Sequence, residues 1–194
     1  MDAQSILSLY AQGLFPMDEP GARELPWWVA DPRTVFELDA GSRAAVQRRV
    51  RRSLRGGDWQ LRLDLAFDEV IAACAAPRHP RDGVWLTPRM QRLYRVLRAA
   101  GHAHTFEVWA DGRLAAGLVA VTLGRAAMLE SMFHRVPHAG NALVALTLDA
   151  LAAGDCELCD IQTATEHTLR LGAVQIRRAE YERRLDRALG RSAQ

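Results

Sequence analysis

This chain contains no lysine: all 25 of its Lys+Arg residues are arginine. The absence excludes a Schiff-base lysine for pyridoxal phosphate, a P-loop lysine against a β/γ-phosphate and a desolvated lysine nucleophile. Cysteine is scarce as well. Three cysteines, an odd number, do not suit a secreted disulfide framework, so the expected setting is reduced and cytoplasmic. No apolar run is long enough to cross a bilayer, and the start MDAQSILSLY lacks the basic region of a signal peptide, so no membrane partner is expected. Net charge is small too: +2 over 194 residues does not signal a general nucleic-acid binder.

What is present is an ordinary globular composition, 49% hydrophobic and 25% charged, at a length that buries a core in one medium domain. Charge is unevenly spread. Residues 41–62 carry seven arginines against Asp58 alone, whereas residues 101–160 carry three arginines against seven carboxylates. A basic arm beside an acidic body suits one anionic and one cationic partner, although scatter over a charged surface gives the same counts.

Along the chain, Pro16, Pro20, Gly21, Pro26 and Pro32 make residues 16–33 irregular, with Trp27 and Trp28 inside them. Val46, Val50 and Leu54 mark a helix from Ser42 to Gly56-Gly57, with the arginines on its other face. A short strand follows from Trp59 to Leu63, then a helix from Leu65 to Ala76 and a loop over 77–84. Thr87-Pro88 opens another helix, Thr as N-cap and Pro in the first turn, running to Gly101. The period then changes to extended. Strands are expected over 104–109, 114–123 and 126–133, the first two joined at Asp111-Gly112. A helix over 141–153, a strand from Leu158 to Gln162, a short helix from Thr165 to Leu171 and a charged helix over 179–189 complete the chain. This order, from Trp59 onward, is that of a GNAT-type acyltransferase: α/β (α+β), with a mixed, largely antiparallel sheet. Element order alone carries no function.

Several features read as structural. Cys156 and Cys159 form a lone C-x-x-C without two further ligands at suitable spacing, so no metal site is expected. His102 and His104 share one face of a strand with no acidic or cysteine partner nearby in sequence. Arg89, Arg92, Arg95 and Arg98 drift around their helix and read as a solvated face. The denser cluster Arg48, Arg49, Arg51, Arg52 and Arg55 is the better phosphate-contact candidate, since the guanidinium fork pairs phosphate oxygens.

Two features are sharper. Asp160 and Gln162 alternate with Ile161 on an apolar strand and should point to one face, at the strand end where α/β folds place polar site residues. Glu130 lies in Met128-Leu129-Glu130-Ser131-Met132-Phe133, where Met128, Glu130 and Met132 should share a face. A lone carboxylate there costs roughly several kcal/mol unless it is paired, hydrogen-bonded or facing a cavity. A buried network and a functional group both remain open.

At these residues the chain resembles the leucyl/phenylalanyl-tRNA–protein transferase family. The resemblance rests on ordered blocks: Tyr10-Ala-Gln-Gly13-Leu-Phe15-Pro16, Trp27-Trp28-Val-Ala-Asp31-Pro32-Arg33, Asp82-Gly83-Val-Trp85-Leu-Thr87, and Gly101-His102-Ala103-His104 with Glu107-Val108-Trp109. Glu130-Ser131-Met132-Phe133, Asp160-Ile-Gln162 and His167-Thr-Leu-Arg-Leu171-Gly172-Ala173 continue it. It implies transfer of Leu or Phe, with Met as a third donor, from leucyl- or phenylalanyl-tRNA to the α-amine of a protein beginning with Arg or Lys, marking it for N-end-rule degradation. It also implies a GNAT-like catalytic domain over 34–194 behind a short segment 1–33, with no cofactor and no metal.

By the same resemblance, Asp160 and Gln162 match a catalytic Asp-x-Gln pair, with Asp160 polarising the Gln162 amide. Glu130 would meet the acceptor's amine and basic side chain. Met132 and Leu118, with Phe133, would line the pocket for the transferred side chain, and Trp85 and Met17 would lie at the tRNA's terminal adenosine. Met17 stands where the family usually has Trp, and Asn141 where it commonly has Lys. An acetyl-CoA-dependent GNAT acetyltransferase is one alternative, but His138 occupies the first glycine position of a CoA-type loop at Arg135–Gly140. A non-catalytic module binding the tRNA 3′ end is another.

Overall fold

The computed structural model describes residues 1–19, 21–77 and 86–191. Helix α1 (Ala3–Tyr10) is capped by the Asp2 carboxylate on Ser5 N–H and turns Ile6, Leu7 and Tyr10 inward. It lies before any element expected from the pattern. Strands β1 (Phe15–Pro16) and β2 (Trp27–Trp28) pair as a small antiparallel sheet, so the proline-rich stretch is ordered around its tryptophans.

Next comes β3 (Arg33–Phe36), a fully buried strand that the sequence pattern did not separate from its proline-rich neighbourhood. The arginine-rich helix is α2 (Ala40–Arg49) followed by α3 (Arg51–Leu54), and it starts before Ser42 because Asp39 caps Ser42 N–H. Then follow β4 (Gln60–Leu63) and α4 (Phe67–Ala75). Ala66 has no capping side chain. The buried Glu107 replaces it, accepting from Ala66 N–H at 2.8 Å, the Thr105 hydroxyl at 2.7 Å and Trp109 Nε1 at 3.0 Å.

Helix α5 (Pro88–Ala99) has the expected Thr87 cap. The strands β5 (Ala103–Ala110), β6 (Arg113–Leu123) and β7 (Ala126–His134) form the antiparallel meander. After α6 (Ala139–Ala153) come β8 (Leu158–Asp160), α7 (Glu166–Leu171), β9 (Val174–Ile176) and α8 (Arg178–Ala188). The seven-stranded sheet runs β4-β5-β6-β7-β8-β3-β9. Its strands are antiparallel neighbours except β7 and β8, which are parallel because α6 carries the chain back across the sheet.

One apolar cluster joins the sheet to α1, α4, α5 and α8; the other joins it to α2, α6 and Leu171 of α7. Strands β7 and β8 pair only over Ala126–Met128 against Leu158–Asp160. Beyond that point β7 continues to His134 while β8 ends, so the sheet parts. No described helix is long and apolar enough to cross a membrane.

Candidate active site

At the point of parting, Asp160 ends β8 with its carboxylate buried and fully engaged. Arg33 grips it through both ends of the guanidinium, Nε to Oδ1 at 2.9 Å and Nη2 to Oδ2 at 2.6 Å. The Tyr181 hydroxyl donates to Oδ2 at 3.0 Å, and Oδ1 accepts Gln162 N–H at 2.8 Å. Arg33 is 1% exposed; its Nη1 donates to Gly13 O at 2.8 Å, and its plane lies over the rings of Phe15 and Tyr181. Burial opposes the guanidinium charge, yet hydrogen bonding and attraction from Asp160 hold its proton more firmly than usual. Burial pushes Tyr181 far up, with the Asp160 charge adding to it. Gly13 is required here: at φ +78° it brings its carbonyl to Arg33, and a Cβ would meet the Tyr181 ring at 3.0 Å.

Gln162 does not continue the strand. Its backbone turns left-handed at φ +58° and β8 ends at Asp160, two residues before the expected end, so the alternation does not reach Gln162. The expected polarisation of the Gln162 amide by Asp160 is corrected as well, because Asp160 holds the backbone N–H of Gln162 instead. In the amide orientation that suits its neighbours, Gln162 Nε2 donates to the Leu129 and Ile161 carbonyls at 3.2 and 3.0 Å. The side chain therefore bridges from the end of β8 to β7.

Glu130 sits at a β-bulge. Val119 pairs with Ser131 and Ala120 with Leu129, which leaves Glu130 as the extra residue of β7. The bulge shifts the alternation by one, so Met128 and Glu130 share a face as expected but Met132 falls on the other. Glu130 turns to the α1/α5 side, where Tyr10 donates to Oε1 and Tyr94 to Oε2, each at 2.9 Å. Burial pushes its carboxyl up to about 7, against the pull of the two hydroxyl donors and with the like charge of Asp160 adding to the rise. Burial likewise raises both tyrosines well above their usual range, with the Glu130 charge contributing.

Met132 and Leu118 are cross-strand partners, and both pack in the opposite cluster, under α6. A Cβ on Gly140 would lie 3.4 Å from Met132 Cε, so α6 approaches this pair closely. Phe133 falls on the other face, beneath the Arg135 guanidinium and opposite Gly117. Met17 is 40% exposed, between Pro26 O, which accepts its N–H, and Trp28 Nε1, which donates to its carbonyl. Trp85 lies outside the described residues.

Arg48, Arg49, Arg51, Arg52 and Arg55 line one cleft of about 580 Å³ with Gly56 and His138. His138 caps α6 with a backbone at φ +74°, the conformation a glycine would adopt without cost. The Ser53 hydroxyl stands 3.4 Å from His138 Nδ1 and accepts from Asn141 Nδ2 at 3.4 Å, tying α3 to the start of α6. The structural reading of the histidines holds: His102 Nδ1 lies 3.0 Å from Thr122 O and His104 Nδ1 2.8 Å from Asp64.

Sequence reasoning missed Arg33, Tyr10, Tyr94 and Tyr181. A signal existed for the tyrosines: each lies on the apolar stripe of its helix, and a buried phenol needs a hydrogen-bond partner. Arg33 appeared only as the last residue of the block from Trp27 to Arg33, with nothing in its four-residue strand to mark it as buried against Asp160.

A family model described as leucyl/phenylalanyl-tRNA protein transferase matches residues 38–186. A protein of Nitratidesulfovibrio vulgaris named leucyl/phenylalanyl-tRNA–protein transferase is 40% identical over 179 residues, 92% of this chain and 75% of its own length. A protein of the same name from an Azoarcus species is 40% identical over 182 residues, 94% and 76% of the two chains. Among solved structures, that of FemX is similar with a TM-score of 0.57 at 10% identity, covering 89% of this chain and 66% of that one. The last likeness is one of fold.

Proposed function

Because the chain belongs to the leucyl/phenylalanyl-tRNA–protein transferase family and is an aminoacyltransferase, we propose that the parting of β7 and β8 holds its reaction centre. The donor is leucyl- or phenylalanyl-tRNA, with methionyl-tRNA also accepted, and the acceptor is the α-amine of a protein beginning with Arg or Lys. Transfer marks that protein for N-end-rule degradation. The element order from β4 to β9, the parted parallel strands and the likeness to FemX in fold support a GNAT-like architecture. No cofactor enters the reaction: the donor ester already carries the activation. A cytoplasmic setting suits its three free thiols.

In the reaction the amine nitrogen attacks the ester carbonyl, the C–N bond forms and the C–O bond to the ribose breaks. The proton lost by nitrogen ends on the departing ribose oxygen. The Gln162 amide does not titrate near neutrality. With Nε2 committed to Leu129 O and Ile161 O, its Oε1 is left to accept from the incoming amine and aim its lone pair. Asp160 acts through the turn, fixing Gln162 by its backbone N–H while Arg33 and Tyr181 fix Asp160. Glu130 supplies the negative charge that favours a cationic acceptor, and the Leu118–Met132 pair receives the transferred side chain. The arginines of α2 and α3 contact tRNA phosphates.

The observation that carries this reading is the held Gln162 side chain bridging the two strands. Labelled leucyl-tRNA and a peptide beginning with arginine test it. Label should pass to the peptide with wild-type protein and fall about 100-fold with Gln162→Ala. Label transfer at the wild-type rate in that variant would overturn the role of Gln162, and acetylation of the peptide from acetyl-CoA in place of aminoacylation would overturn the function.

A further inference from the structure

The arginines of α2 and α3 are unlike those of the later helices. On α7 and α8 the guanidiniums are neutralised locally: Arg170 pairs with Glu166, Arg178 with Glu182 and Arg184 with Glu180, each at i,i+4. On α2 and α3 the residues four apart are Arg48 and Arg52, and Arg51 and Arg55, and like charges at that spacing repel. Among the described residues, none of Arg48, Arg49, Arg51, Arg52 and Arg55 forms an ion pair. All five line one cleft of about 580 Å³, whose other lining residues are Gly56 and His138, with no carboxylate. The cleft of about 760 Å³ between the β2 region and α5 differs: Glu24 stands there among Arg23, Arg89 and Arg92, and Arg89 is paired with Asp18. In the Arg48–Arg55 cleft Gly56 and His138 meet closely, since a Cβ on Gly56 would lie 3.1 Å from His138 Cδ2. His138 is also the N-cap of α6, a 15-residue helix with no capping side chain and no acidic residue in its first turn. The positive end of the α6 dipole is therefore unmatched beside the guanidiniums. Two independent sources of positive potential, unpaired side chains and an uncapped helix start, meet at one concave site. Its size falls within the roughly 300–1,000 Å³ of small-molecule sites.

We propose that the Arg48–Arg55 cleft binds a free, compact polyphosphate, inorganic or carried by a nucleoside, and that this anion excludes tRNA. Such regulation rests on the proposed function, in which the same arginines meet tRNA phosphates. Linked phosphates crowd several oxygen acceptors into a small volume, and guanidinium forks arranged around a cleft can pair with them from more than one side. A nucleic-acid duplex is a convex cylinder with its charges spread along the axis, so it meets the rim of a cleft rather than its interior. The two ligands therefore share the rim arginines and compete for them, and the smaller one engages more of the cleft. Binding also relieves the repulsion among the five like charges, so the anion stabilises the folded chain.

The probes are sodium tripolyphosphate and ATP, with sodium sulfate at equal ionic strength as the control. At a hundredfold excess over its Kd, tripolyphosphate should raise the thermal unfolding midpoint of the wild-type protein by about 5 °C, well above the sulfate value. Arg52→Gln/Arg55→Gln, at two exposed positions, should lose most of that shift, each protein being compared with its own unliganded midpoint. Arg113→Gln/Arg177→Gln removes the same charge from exposed positions outside the cleft and should keep the shift. In transfer assays, tripolyphosphate at its Kd should about double KM for leucyl-tRNA, leaving kcat and KM for the acceptor peptide unchanged. Equal affinity for the two probes would make the phosphate chain the whole ligand and tighter ATP would make it a nucleotide; either supports the proposal. A shift no larger than that with sulfate, or one retained in Arg52→Gln/Arg55→Gln, would overturn it. So would an unchanged KM for leucyl-tRNA. If wild-type protein transfers nothing, the proposed function fails, and the unfolding shifts still decide whether the cleft is a polyphosphate site.

Discussion

The two faces of the sheet hold their polar groups in opposite ways. On the face covered by α1, α5 and α8, each carboxylate of the site is clamped by named donors: Asp160 by Arg33, Tyr181 and the Gln162 backbone, and Glu130 by Tyr10 and Tyr94. On the face covered by α2 and α6, an apolar pair, Leu118 and Met132, lies near five arginines gathered around a cleft. The difference teaches a division of labour. Under the proposed function, groups that must keep one geometry through the reaction are built into a dry network, and groups that would meet large, varied ligands are left at clefts.

If that division is right, its largest effect comes from breaking the clamp. Arg33→Ala leaves Asp160 buried without its cation and should cost about 3–5 kcal/mol in urea unfolding, with transfer lost as well. An unfolding midpoint close to wild type would mean that the clamp is not structural. Next in size, Gln162→Ala should slow single-turnover transfer about 100-fold, roughly 2.7 kcal/mol, while stability changes by less than about 1 kcal/mol. A loss of stability to match would place Gln162 with the clamp.

Met132→Ala probes the opposite face. Enlarging the pocket should shift the ratio of kcat/KM for phenylalanyl- over leucyl-tRNA about tenfold toward Phe, within the roughly 1–3 kcal/mol that apolar discrimination supplies. An unchanged ratio would remove Met132 from the pocket.

A pH dependence is the remaining test. Glu130 sits at about 7 against an ordinary 4.5, so the folded protein keeps a proton that the unfolded chain releases. Stability should therefore fall as pH rises from about 4.5 to about 7 and level off above, and Glu130→Gln should flatten that slope. In the same window KM for an arginine-led peptide should decrease with rising pH as Glu130 ionises, and the Gln variant should lose that step. A slope retained in the variant would assign it to another group.

Much of the fold was legible because local rules are strong where they act. Thr87-Pro88, Asp111-Gly112 and the change of period after Gly101 placed α5 and the meander to within a few residues. Four of the short strands were not legible. β1, β2, β3 and β9 are too short to show a period, and pairing across the fold holds them in place. The site was half legible. Asp160, Gln162 and Glu130 stood out as polar residues in apolar strands, but their orientations were inferred from an alternation that a bulge and a left-handed turn interrupt.

The sequence by itself therefore determined the family, the order of the elements from β4 to α8 apart from β9, and the residues with chemistry to offer, because motif and period are local properties. It also removed lysine from every role, so each cation in the molecule except histidine and the chain terminus is a guanidinium. Only the tertiary structure decided what those guanidiniums do. It buried Arg33, 127 residues away in sequence from Asp160, and gathered Arg48–Arg55 and Arg23, Arg89 and Arg92 into clefts on opposite faces. Burial, pairing and exposure are set by what the chain packs against, and packing alone put one guanidinium into a buried ion pair and others at the walls of two clefts.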